Sequence, residues 1–80
     1  MNKNIKDKDK EKKIINFIEK ISKKKINSKT KLISSGLIDS VLLFELISFL
    51  EKSFNVNFNE SVITKKNFEY IRSIVKLINK

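Results

Sequence analysis

This sequence predicts an all-α fold, a small helical bundle, and three observations carry the expectation. The chain of 80 residues has no proline and a single glycine, so little in it punctuates a helix. Its apolar residues recur at spacings of three and four in separate segments, the period of helices that each bury one stripe. At this length one domain with one modest core is possible, since a chain so short buries only about 60% of the surface it exposes unfolded.

The elements follow in order. Residues 2–13 are almost wholly polar, with Ile5 the lone apolar side chain. They predict a solvated or frayed lead-in, placed at residues 1–9, with the folded domain at 10–80. Ile14, Ile15, Phe17, Ile18 and Ile21 then form the stripe of an amphipathic first helix. From Ser22 to Asp39 the period lapses in "SKKKINSKTKLISSGLID". A connection this long in a compact domain is either functional or pinned by its own apolar residues, here Ile26, Leu32, Ile33 and Leu37. Gly36 supplies a positive φ or close packing before the next helix.

The second helix is expected from about Ser40 to Phe54, with Asp39 as its N-cap. Leu43, Leu46, Ile47, Leu50 and Phe54 make its core stripe, and Val41, Glu45, Ser48 and Lys52 lie opposite. Phe44 occupies one flank, and Leu42 and Phe49 the other. The apolar surface is therefore wider than one buried face. Either neighbours box the helix in or an apolar edge stays open for a partner, and the two are compatible. Asn59 is expected to cap a short turn with Val62 and Ile63, and Asn67 a last helix on which Phe68, Ile71, Val75 and Ile78 repeat. The count is three substantial helices and one short third helix after a long first loop.

The formal net charge of +9 is segregated along the chain: residues 1–31 carry +8, residues 32–64 carry −3 and residues 65–80 carry +4. Lys, Asn and Ile supply 39 of the 80 residues, a bias that an AT-rich genome produces without any electrostatic role. A basic helical module that binds nucleic acid or an anionic membrane is the reading that net charge alone suggests. The acidic centre and the lack of aromatics among the lysines oppose it, so no nucleic-acid partner is expected. The polar start has no apolar run behind it and no segment has the length of a membrane span. A cytoplasmic monomer without stable membrane insertion is the expectation.

Composition also limits the chemistry. Without histidine or cysteine the commonest base, thiolate chemistry and the usual zinc sites are gone. Ser40 has no adjacent base to make it a nucleophile, and "GLIDS" is not a G-x-S-x-G elbow. Gly36 alone makes no phosphate loop, and Asp39, Glu45, Glu51 and Glu60 show no metal-ligand spacing. The chain is not expected to be an enzyme. Capping explains the Asp39-Ser40 pair locally. A serine in a first helical turn also places its hydroxyl beside unsatisfied N–H groups, where an attached phosphate is stabilised.

The segment "GLIDSVLLFELISFLEKSFNV" resembles acyl carrier proteins, particularly their stand-alone acyl- or aminoacyl-accepting relatives. "FNVNFNESVITKKNFEYIRSIVKLI" is similar to that family's third and fourth helices, and the resemblance spans roughly residues 10–79. It implies a four-helix bundle of acyl-carrier type. It further implies that Ser40 receives 4′-phosphopantetheine through a phosphodiester and that Asp39 assists the modification. Val41, Phe44, Glu45 and Ser48 correspond to the partner-recognition surface. The implied partners are a phosphopantetheinyl transferase, an AMP-forming acyl or aminoacyl ligase, and a downstream acyltransferase, synthase or other acceptor enzyme. Val41 stands where the family has leucine or sometimes methionine. Glu45 and Glu51 are all that remain of the family's acidic row on this helix, and Lys52 interrupts it. That departure favours a dedicated biosynthetic pathway over the alternative, the housekeeping carrier of fatty-acid synthesis.

Overall fold

The computed structural model describes residues 6–79. Helices α1 (Asp7–Ser22), α2 (Ser40–Phe54), α3 (Lys65–Phe68) and α4 (Ile71–Ile78) follow in order, with a 3-10 turn at Glu60–Val62 ahead of α3. No strand occurs among the described residues. α1 packs against both α2 and α4, and α3 packs against α4. The architecture is a small helical bundle.

α1 begins ahead of its apolar stripe. Residues 1–5, the first part of the expected lead-in, lie outside the described residues. From Asp7 the polar stretch is largely exposed but helical. Asp7 and Asp9 sit in the first turn, where carboxylates oppose the positive end of the helix. Asn79, just beyond α4, donates Nδ2–H to Asp7 Oδ1 at 3.0 Å and accepts from Lys10 Nζ. A stretch with no apolar side chains is thus tethered to the far end of the chain. Further along, Ile14 and Ile18 are fully buried.

The core is centred on α4. Five of its eight residues, Ile71, Ile74, Val75, Leu77 and Ile78, are buried, against Leu46, Ile47 and Leu50 among the fifteen of α2. At about 1.5–3 kcal/mol per buried aliphatic side chain, the shorter helix contributes more to the core. α2 is the more apolar of the two yet keeps an open edge. Leu43 and Phe54, expected in its stripe, are half-buried, as are Leu42 and Phe49 on its flank, all packed against the core. No polar or charged side chain is buried among the described residues.

The end of the chain departs from expectation. Asn59 caps the 3-10 turn as its position predicts, accepting from Ser61 N–H. Asn67, however, does not cap the last helix. Thr64 caps α3, its hydroxyl accepting from Asn67 N–H at 3.2 Å, while Asn67 Nδ2 donates to Val62 O at 2.8 Å. The expected single helix from Asn67 is broken by Tyr70, whose φ of −127° and ψ of 150° are extended. The break turns both the carbonyl and the carboxylate of Glu69 towards the first loop, which they hold.

Candidate functional site

The site is built by the chain that leads into α2. Leu32 and Ile38 are buried, and Ile26, Ile33 and Leu37 are half-buried against the core. Ile38 N–H donates to Leu32 O at 3.0 Å and Gly36 N–H to Ile33 O at 3.0 Å, closing a compact turn around Gly36. Gly36 has φ +82°, a left-handed conformation that an L side chain adopts only at a cost of roughly 1–2 kcal/mol. Of the two roles expected there, the structure shows the positive φ and not close packing, since the space around Gly36 is open.

Three carboxylates hold loop backbone to helices. Glu19 Oε2 accepts from Ile26 N–H at 2.9 Å, and Glu51 Oε2 from Phe58 N–H at 3.0 Å. Glu69 holds the segment before Ser40: its Oε1 accepts from Ile33 and Ser34 N–H, both at 2.9 Å, its Oε2 from Ser34 Oγ–H, and its carbonyl from Leu32 N–H at 2.8 Å. The Ser34 hydroxyl and then the Ser34 amide lower the Glu69 carboxyl below its ordinary value against a smaller desolvation effect, and the Ile33 amide and Lys65 add lesser lowering.

A carboxyl lowered by folding stabilises the native state above its unfolded-state value, and that contribution disappears as pH falls through the folded-state value. Glu69→Gln is expected to remove this pH dependence. It also weakens the clamp, because the amide offers one acceptor oxygen and loses the charge. The protection factors of Ile33 and Ser34 against hydrogen exchange should fall below wild type at neutral pH and then change little on acidification. Equal protection in wild type and Glu69→Gln at neutral pH contradicts the clamp.

At the helix start, Asp39 has extended backbone and its Oδ1 accepts from Leu42 N–H at 2.9 Å, while its carbonyl accepts from Leu43 N–H at 2.8 Å. Asp39 is therefore a true N-cap. The amides of Ser40 and Val41, the first two of α2, have no intrahelical acceptor, as at any helix start. Ser40 itself is exposed.

The exposed edge lies immediately beyond. Val41 is 65% and Phe44 74% exposed, and they are the exposed large hydrophobic residues among those described. Ser40, Val41, Phe44 and Glu45 line one shallow hollow. Phe44 and Glu45 also border a second, where Ser48, Lys52 and Ser53 of α2 face Phe17 of α1. Ser48 thus belongs to the second hollow and has no part in the first. Phe17 stacks on Phe49 with ring centroids 4.1 Å apart and planes 7° from parallel, which forms the floor between the helices. Sequence periodicity assigned Phe17 only to a core stripe, and nothing local to it signals the groove.

No cluster of His, Cys, Asp or Glu among the described residues is arranged to hold a metal ion. Among the described residues no helix is long and apolar enough to cross a membrane. Comparison with protein families, curated proteins and solved structures returns no match.

Proposed function

We propose that the chain is a carrier protein, modified on Ser40 with 4′-phosphopantetheine, that holds an acyl or aminoacyl group as a thioester and presents it to partner enzymes of a dedicated biosynthetic pathway. The observation that carries this reading is an exposed serine in the first turn of a fifteen-residue helix, beside the exposed pair Val41 and Phe44. The bound arm supplies the thiol, which this cysteine-free chain lacks.

The residues suit that role. Two amides without intrahelical acceptors and the positive end of α2 favour the negative charge of a phosphodiester on Ser40 Oγ. The core beneath, through Leu46, Ile47 and Leu50, fixes the root of the arm while leaving its free end mobile. Val41 and Phe44 give a docking enzyme apolar contact within one turn of the attachment point. Glu45 and Ser48 frame that contact, and Lys52 makes the surface unsuited to an enzyme that captures carriers through a purely basic patch. Catalysis then belongs to the partners: the phosphopantetheinyl transferase, the AMP-forming ligase and the acceptor enzyme.

Incubation with coenzyme A, magnesium and a broad-specificity phosphopantetheinyl transferase is expected to add one phosphopantetheine increment, read by intact mass spectrometry. Absence of the increment, with a control carrier modified in parallel, overturns the reading.

Asp39 is expected to have two separable roles. Asparagine caps helices about as well as aspartate, whereas alanine costs about 1 kcal/mol. Asp39→Asn should therefore melt close to wild type yet be loaded roughly tenfold more slowly or worse, the scale of one lost charge-assisted interaction. Equal loading rates for Asp39→Asn and wild type reduce Asp39 to a cap.

A further inference from the structure

A third hollow, of distinct chemistry, lies away from α2. It is lined by Ser28 and Lys29 from the first loop and by Tyr70, Arg72, Ser73 and Lys76 at and along α4. Every one of these six side chains can donate a hydrogen bond, and none is a carboxylate. Three are cations drawn from segments more than forty residues apart in the chain. Arg72 is the only arginine among the 18 basic residues, and its planar fork matches an oxyanion in a way an ammonium group does not.

The hydrogen bonds that shape the region leave these side chains uninvolved. The 27–30 turn is closed by Thr30 N–H to Asn27 O, by Asn27 N–H to Thr30 Oγ1 and by Lys29 N–H to Asn27 Oδ1. Glu69, the carboxylate next to Tyr70 in sequence, is turned to the other loop segment, on Ile33 and Ser34. Three like charges around one concavity repel one another. An anion seated among them relieves that repulsion and accepts from the three hydroxyls.

We propose that this hollow binds a phosphate-class oxyanion, either free or as the phosphate of a small ester. The site stands on its own residues and does not depend on the carrier reading. Its chemistry is a tetrahedral dianion held by Arg72 with Lys29 and Lys76 and oriented by Ser28, Ser73 and Tyr70.

The test is an amide-resolved NMR titration of the unmodified full chain at constant ionic strength, with inorganic phosphate, adenosine monophosphate and chloride in separate arms. Saturable shifts at Lys29, Arg72 and Ser73 are expected, half-complete at about 1 mM or below. Saturation by inorganic phosphate identifies the free ion as sufficient, and saturation by the nucleotide alone assigns the site to a phosphate ester. Arg72 and Lys29 are exposed and can be changed without touching the core, so Arg72→Gln and Lys29→Gln should keep the remaining spectrum and weaken binding by about tenfold each. Three results overturn the proposal: no saturation by either phosphate compound, the same shifts with chloride, or shifts spread evenly over Lys8, Lys12, Lys24 and Lys65.

Discussion

Ser40→Ala is expected to abolish phosphopantetheine loading completely and to leave the fold intact. The two halves of that result rest on different parts of the structure. Stability is spared because Asp39, not Ser40, caps α2 and because exposed substitutions of this kind change stability by less than about 0.5 kcal/mol. Loading is lost because no other serine has the same setting. The hydroxyls of Ser34, Ser35 and Ser61 are engaged with Glu69, the Lys31 carbonyl and Asn59. Ser22 accepts from the Lys24 amide. Ser28 and Ser73 line the cationic hollow, and Ser48 and Ser53 are mid-helix or beyond, away from any helix start. A thermal melt matching wild type together with a mass that stays unshifted is the predicted pair of readings. An increment retained by Ser40→Ala moves the attachment point elsewhere and removes the basis for the docking surface.

What the sequence made legible is local. The span of α2 followed from Asp39 as an acidic cap and from an apolar period that ends at Phe54, and both signals act within a few residues. Gly36 was legible for the same reason, since its positive φ belongs to one residue. The exposed edge was legible only as an excess of apolar surface. Whether Val41 and Phe44 face solvent depends on how many neighbours α2 has, and α2 touches α1 more extensively than any other helix.

The unread features depend on distant partners. Glu69 meets Ile33 and Ser34 across 36 and 35 residues, and nothing near it in sequence distinguishes it from a surface glutamate. The break at Tyr70 accompanies that clamp and the Asn67 bond to Val62, and no glycine or proline marks it in the sequence. Ile38 is buried through its position between the Leu32 carbonyl and the start of α2, although its segment has no period to announce it. The central role of α4 was hidden as well. Its eight residues read as one stripe, whereas the bundle surrounds them closely enough to bury Ile74 and Leu77 as well.

Phe68→Ala is expected to be the most damaging single substitution to the fold. Phe68 is fully buried and meets Phe58 edge-on, with ring centroids 6.0 Å apart. Truncation of a buried phenylalanine costs about 3–5 kcal/mol, and a domain of this size has only about 4–12 kcal/mol in total. Relaxation around the cavity cannot rescue it, because Phe68 is the one buried residue of the four-residue α3, and a helix that short has no stability of its own. Loss of α3 releases Glu69, the next residue, and with it the clamp on Ile33 and Ser34. The damage therefore reaches Ser40, and a melting temperature lowered by roughly 15–30 °C should be accompanied by slower loading even below the transition. Phe68→Leu, which keeps most of the volume, should cost about 1.5 kcal/mol or less and load normally. Circular-dichroism melts and loading rates on the two variants check the chain of dependence. If Phe68→Ala melts within a few degrees of wild type, α3 does not anchor the loop, and the rigidity of the Ser40 site must come from the apolar contacts of Leu32 and Ile38 alone.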